Sequence, residues 1–376
     1  MPLKFYYTLL RHLNLNVKSL VRYNNLVSLQ TVRLFSTFNV KEKNETLSVK
    51  NDQRVAPKQI KELHERYLFV RTCVDFWDDL PAGVAFDTAY IDTHPGAATS
   101  PEVPVVVALH DSPGTTNDLI PILQPFCNIG YRVIAVNFPG FGKTKAINVY
   151  DESTFTGSTE ERTEFINSFL ETVGVESIDL LIGHGTGCNT ALNYATNIRS
   201  VDPRLVKSLA LLSPIGHRFS SYLNMYPAIR EFEQYWNQYP LLRALLRLVL
   251  HVSTIWKFRF LQKYPWKYHV KIMLHYAGFQ YPLLQSDSSV ISFEPLPFLV
   301  THNNNSKIVD TEVMEEYRDL MGISNTCVVG KDKSQPDTYT SQRYVVFDDE
   351  DYSLEKYSGQ ISLLLLDLLK NVLKKR

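Results

Sequence analysis

Apolar residues follow two different rhythms along the chain. Four short segments are apolar at nearly every position: "VPVVVALH" (103–110), "YRVIAVNFPG" (131–140), "SIDLLIGHG" (177–185) and "VKSLALLSP" (206–214). A strand covered by helices on both faces needs such a run, since neither side of it meets water. Between these runs, apolar residues recur at helical spacing. In "STEERTEFINSFLETVG" (158–174), Ser158 and Glu161 have the spacing of a capping box and Gly174 supplies a stop. Strands alternating with helices of this length imply right-handed crossovers and a mostly parallel sheet.

The alternation stops near Pro214. Residues 218–292 are rich in tyrosine, tryptophan and leucine at helical spacing, after which "PLPFLVTHNNN" (295–305) and "SQRYVVF" (341–347) read as strands again. The sheet is thus predicted to be interrupted by a helical insertion. The last segment, "SGQISLLLLDLLKNVLKKR" (358–376), predicts an amphipathic helix with basic residues at its negative dipole end. At the other end, "PKQIKELHERYLFVRTCVDFW" (57–77) has helical spacing and predicts a leading helix after a polar, lysine-rich linker.

Composition narrows the function classes. With 39 basic and 39 acidic residues and 44% hydrophobic content, the chain has no global charge that would favour nucleic acid. Cys73, Cys127, Cys188 and Cys327 form no C-x-x-C pair, so neither a metal site nor a disulfide framework is expected, and no cofactor is implied. The most apolar stretch, residues 241–256, is short and broken by Arg243, Arg247 and His251, so no membrane span is expected.

The first 41 residues contain no acidic residue, while Lys4, Arg11, Lys18, Arg22, Arg33 and Lys41 recur among leucine, valine and serine. That composition is the mark of a mitochondrial presequence, and "VRLFSTF" resembles a matrix-peptidase site between Phe35 and Ser36. A basic tail without a targeting role has the same composition. The expected organisation is a presequence (1–35), a linker and leading helix (36–84), a core in two parts (85–217 and 293–376) and a helical cap between them (218–292).

Four features in chain order resemble the α/β-hydrolase fold: "HDSPG" after one strand, "NFPGFGKT" after the next, "GHGTG" after the third, and a helical cap before the last strands. The strings "YIDT", "NFPGFGKT" and "GHGTGCNTAL" are most similar to an uncharacterised hydrolase-like family of invertebrates whose elbow usually reads G-H-S-R-G-C. The resemblance implies an α/β fold, with a mostly parallel sheet flanked by helices and an inserted cap. It also implies where a catalytic triad belongs, and each of those places holds an unsuitable residue. Glycine 185 stands at the nucleophile position. Asn305 or Ser306 stands where the acid belongs, with Asp310 better placed to cap the next helix. Asp351 stands at the histidine position, and no histidine follows His302. Asp111 replaces the glycine of H-G-x-P-G, setting a carboxylate beside the oxyanion pocket.

The pocket candidates are His110, Asp111, Ser112, His184 and Thr186. A general base is lacking unless His302, or one of the cap histidines His251, His269 and His275, reaches the site. Ser112, Thr186 and Cys188 are the candidates for a displaced nucleophile, although each also has an ordinary structural role. Between Glu233 and Asp287 no acidic residue occurs, while Arg243, Arg247, Lys257, Arg259, Lys263, Lys267 and Lys271 are interleaved with aromatics. Such a surface fits an anionic membrane or an acidic or acyl ligand, and equally a cap that packs on its own aromatics.

Three functions follow as expectations. The first is an inactive hydrolase-like protein of mitochondria, in the matrix, that keeps a pocket for a small hydrophobic or acyl ligand. The second is a rearranged or serine-independent hydrolase acting on an ester or acyl substrate. The third is a scaffold at the membrane periphery that uses the basic cap.

Overall fold

The computed structural model describes residues 63–74, 82–96, 102–147, 155–202, 205–218, 226–255, 261–262, 264–306, 309–324, 326–329, 342–349 and 353–374. The chain divides into two compact units, one of residues 60–247 with 264–376 and one of residues 1–59 with 248–263.

The larger unit opens with strands β1 (Glu65–Thr72), β2 (Val84–Asp92) and β3 (Val105–Leu109). Helix α1 (Ile120–Ile129), strands β4 (Arg132–Val136) and β5 (Lys145–Ala146), helix α2 (Thr159–Thr172), strand β6 (Leu180–His184), helix α3 (Gly187–Val201) and strand β7 (Leu209–Leu212) follow. Helices α4 (Tyr226–Gln238), α5 (Arg243–Thr254), α6 (His269–Ala277) and α7 (Tyr281–Phe293) then interrupt the alternation. Strand β8 (Phe298–Asn303), helix α8 (Thr311–Leu320), strands β9 (Thr326–Val329) and β10 (Gln342–Phe347) and helix α9 (Ser358–Leu373) complete the chain.

The strands form one sheet in the order β1-β2-β4-β3-β6-β7-β8-β10-β9, with β5 alongside β2. Every pairing from β4 to β9 is parallel, while β2 is antiparallel to its neighbours β1, β4 and β5. All five residues of β3 are buried, as its unbroken apolar run requires. Helices α1 and α9 cover one face of the sheet, where Leu123, Phe126, Leu365 and Leu369 pack in a core with Ala108, Ile182 and Val345. Helix α2 starts as its sequence predicts: Ser158 Oγ accepts from Glu161 N at 3.2 Å, and Glu161 Oε2 accepts from Ser158 N at 3.1 Å.

The leading helix is a misassignment, because residues 65–72 form strand β1, paired with β2 from Glu65–Ile91 to Thr72–Val84. Val70 and Thr72 point inward, whereas Tyr67 (51% exposed) and Phe69 (71% exposed) lie on the open face. Exposed aromatics filled in the helical pattern and hid a period of two. Residues 57–62 and 75–77 lie outside the described residues, as do the presequence-like segment and the linker.

In the smaller unit the described residues are 248–255, the end of α5, and 261–262, where Gln262 Nε2 donates to the Thr254 carbonyl at 3.0 Å. Among the described residues, no helix is long and apolar enough to cross a membrane.

Candidate functional site

The elbow connects β6 to α3 through Gly185 and Thr186. Its outer glycines are fixed by close packing. A β-carbon on Gly187 would lie 2.6 Å from the carbonyl oxygens of Leu109 and His110, and one on Gly183 would lie 2.6 Å from Cys188 Cα. Gly185 has φ +55°, a conformation that side chains disfavour, and its N–H donates to Leu212 O at 2.9 Å. The nearest atoms a β-carbon there would meet belong to a side chain. The β-carbon would fall within 2.6 Å of all three atoms of the Asp111 carboxyl group.

Asp111 reaches this place from the loop after β3. That loop is anchored by His110, whose Nε2 accepts the Phe138 N–H at 2.9 Å while its Nδ1 donates to the Asp111 carbonyl. Burial lowers the His110 pKa to about 4, so the ring is a neutral structural link. The Asp111 side chain then turns into the elbow. Its Oδ1 accepts two backbone N–H groups, from Ser112 and from Thr186, each at 2.7 Å. Those donors are the residue after the nucleophile position and a residue of the loop after β3, the two sources of an α/β-hydrolase oxyanion hole. The carboxylate therefore occupies both the hole and the space a serine at position 185 would need.

Behind Asp111 is a buried polar cluster. Thr186 Oγ1 accepts from Ser112 N at 2.8 Å and from Arg162 Nη1 at 3.4 Å. Arg162, on α2, also donates from Nη2 to Ser112 Oγ at 3.2 Å and to His275 Nδ1. Its guanidinium lies 5.1 Å above the Phe138 ring. Burial lowers the Arg162 pKa to about 10 against the attraction of Asp111 and Glu161, so it stays charged at neutral pH. Ser112 Oγ lies 2.8 Å from His275 Nδ1. Burial, and then the charges of Arg162 and Lys271, hold the His275 imidazole well below its ordinary pKa, so it is neutral.

His275 is thus the cap histidine that reaches the site. Helix α6 approaches closely because the core presents glycines to it: a β-carbon on Gly157 would run into the His275 ring, and one on Gly140 would lie 2.8 Å from Lys271 Nζ. Two of the other candidate bases have neighbours of their own. His302 is buried against the Tyr344 ring with its pKa lowered to about 4 by burial, and His269 Nε2 meets the Tyr264 carbonyl at 3.0 Å. His251 lies on α5, in the smaller unit.

The remaining candidate positions have the following surroundings. The Cys188 thiol is shared between the Gly183 and Leu212 carbonyls at 3.2 and 3.4 Å, and burial pushes its pKa well up, which disfavours the thiolate. His184 ends β6, and its Nδ1 has no hydrogen-bond partner among the described residues. At the acid position, Asn305 Nδ2 donates to Asp348 at 3.0 Å and Ser306 Oγ accepts from Val309 N at 3.2 Å. Asp310 precedes the first turn of α8 as its N-cap residue. Asp351 lies outside the described residues.

Arg162 was not among the sequence candidates. Its signal was its place on α2, three and four residues before Phe165 and Ile166, which puts a guanidinium on the apolar face of the helix. In the cap, Arg243 and Arg247 both stack over Trp236, at 5.4 and 5.3 Å, and Lys267 lies 4.8 Å from the Tyr268 ring centre. Lys257, Arg259 and Lys263 lie outside the described residues. Among the described residues, no group of three or more histidine, cysteine or acidic side chains is placed to hold a metal ion.

Comparison with known proteins agrees with this architecture. A family model described as "Alpha/beta hydrolase of unknown function (DUF1057)" matches residues 68–232. A 2-hydroxy-6-oxononadienedioate/2-hydroxy-6-oxononatrienedioate hydrolase of Paraburkholderia phymatum is 31% identical over 137 residues, which span 35% of this chain and 42% of that protein. Among solved structures, the haloalkane dehalogenase DbeA from Bradyrhizobium elkani superposes with a TM-score of 0.54 at 13% identity, covering 84% of this chain and 100% of that one. A mutant of DBJA superposes with a TM-score of 0.53 at 15% identity, covering 82% and 99%. At such identities the structural likeness is one of fold.

Proposed function

The chain belongs to the α/β-hydrolase superfamily, and from that premise we propose that it is a catalytically inactive member that keeps its elbow as a ligand-binding or interaction site. One observation carries this reading: the Asp111 carboxylate sits in the oxyanion hole and in the space of the missing nucleophile side chain. Acyl transfer needs those two amides free to receive the carbonyl oxygen as it becomes negative. Here a neutral substrate oxygen would have to displace an anion from two charge-assisted hydrogen bonds, each of roughly 1.5–3 kcal/mol. The exchange is uphill, and Gly185 offers nothing to attack with afterwards.

A second reading, a rearranged hydrolase, is favoured by the 2.8 Å contact between Ser112 and His275. Its electrostatics run the wrong way. In a triad an acid stabilises the imidazolium that forms when histidine takes the serine proton. Here Arg162 donates to the nitrogen that would have to take that proton, and a charged His275 would face a buried guanidinium. The purified protein is expected to leave p-nitrophenyl acetate and p-nitrophenyl octanoate unhydrolysed beyond the buffer rate. Turnover abolished by Ser112→Ala, or fluorophosphonate labelling at Ser112, would reverse the order of the two readings.

The acid-free, basic first 41 residues support mitochondria as the site of action. A fluorescent fusion of residues 1–60 tests this, with a cytosolic distribution as the contrary result. A peripheral membrane role for the cap is less well supported, because Arg243 and Arg247 are engaged with Trp236.

A further inference from the structure

We propose that the two amide donors and Arg162 form a receptor for the carboxylate of an external monocarboxylic acid with an apolar body, and that Asp111 is the stand-in occupying it. This assignment rests on the proposed lack of hydrolysis at the same site. The donors converge on one oxygen, Thr186 N from the elbow and Ser112 N from the loop that His110 ties to Phe138. Arg162 lies beside the same two residues, its Nη groups bonding to Thr186 Oγ1 and Ser112 Oγ. It is 1% exposed, and its Nε has no hydrogen-bond partner among the described residues. The acceptors its Nη groups meet in the cluster are neutral: two hydroxyls and an imidazole. A buried guanidinium with spare donor capacity, beside two converging amides, is matched to an anion.

The rest of the wall fixes the kind of anion. Phe138 lies under the guanidinium, and Phe141 packs 4.8 Å from the His275 ring. These groups suit an apolar body. A phosphate would bring a second charge to one guanidinium and two amides, whereas a carboxylate repeats the group already seated there. Ser112, Thr186, Arg162 and His275 are buried, whereas Asp111, whose carboxylate covers the two donors, is only half-buried. An incoming carboxylate competes with Asp111 for the same two N–H groups.

Octanoate, methyl octanoate and inorganic phosphate are the probes, titrated calorimetrically into the full-length protein and its Asp111→Gly variant. Asp111→Gly is expected to bind octanoate at least tenfold more tightly than wild type, and methyl octanoate at least tenfold more weakly than octanoate. A folded Asp111→Gly protein with no gain over wild type, equal binding of acid and ester, or preference for phosphate would overturn the assignment. Should Asp111→Gly fail to fold, the wild-type amide resonances of Ser112 and Thr186 serve instead: octanoate is expected to shift both, and methyl octanoate neither. Unmoved resonances at saturating octanoate would overturn it equally. The ester assay keeps the two proposals apart. Turnover of p-nitrophenyl octanoate defeats the inactive reading, whereas absence of both turnover and octanoate binding defeats the receptor alone.

Discussion

The three glycines of "GHGTG" answer to different constraints. Gly183 and Gly187 are pressed against main-chain atoms, the first by the start of α3 and the second by the end of β3 and the residue after it. Main chain cannot give way without separating strand from helix, so these positions hold the fold whatever the protein does. Gly185 is pressed against a side chain, that of Asp111. Its positive φ favours glycine as well, but the close contact is with an aspartate side chain of the neighbouring loop. In one five-residue turn, the architecture and the proposed loss of catalysis therefore rest on separate residues.

Substitution separates the two classes. Gly187→Ala forces a β-carbon between two carbonyl oxygens, and a loss of about 3 kcal/mol or more in urea denaturation is expected. A loss under about 1 kcal/mol would show that the elbow packs less tightly than its geometry indicates. Acid pH comes next. The folded His110 titrates at about 4 against an ordinary value of 6.5. Between those values the unfolded chain holds a proton that the folded chain lacks. The stability present above pH 6.5 is thus lost as pH falls towards 4, by up to about 3 kcal/mol for this histidine. His110→Gln should flatten that part of the pH–stability curve, and an unchanged slope would remove His110 from the scaffold's pH response. Gly185→Ser is expected to cost about 1–3 kcal/mol from backbone strain, with additional repulsion from Asp111, and to restore no ester hydrolysis. Hydrolysis after that single change would reveal a working base. Asp111→Asn, which keeps the shape and removes the charge, should cost about 1 kcal/mol. A gain in stability would show that the carboxylate is strained in the hole.

Much of this division was legible in the sequence. The buried runs of β3, β4, β6 and β7 and the Ser158–Glu161 cap needed only period and spacing, which are local. Strand β1 was misread because Tyr67 and Phe69 are apolar residues on an exposed face, and periodicity cannot tell exposure from burial. At the site, the loss of serine at position 185 was plain, but its consequence was not. That Asp111 fills the hole depends on a bond between residues 111 and 186. Arg162 and His275 join through bonds spanning 24 to 163 residues. Contacts of that range are set by how helices α2 and α6 seat on the sheet, which no short motif records.

A double-mutant cycle in chemical denaturation, combining Gly185→Ser with Asp111→Gly, measures the link between those two residues directly. With the Asp111 carboxylate lying over Gly185, the serine should cost at least about 1 kcal/mol less in the Asp111→Gly background than in wild type. Additivity to within about 0.5 kcal/mol would contradict the placement of Asp111 in the hole and at the nucleophile position.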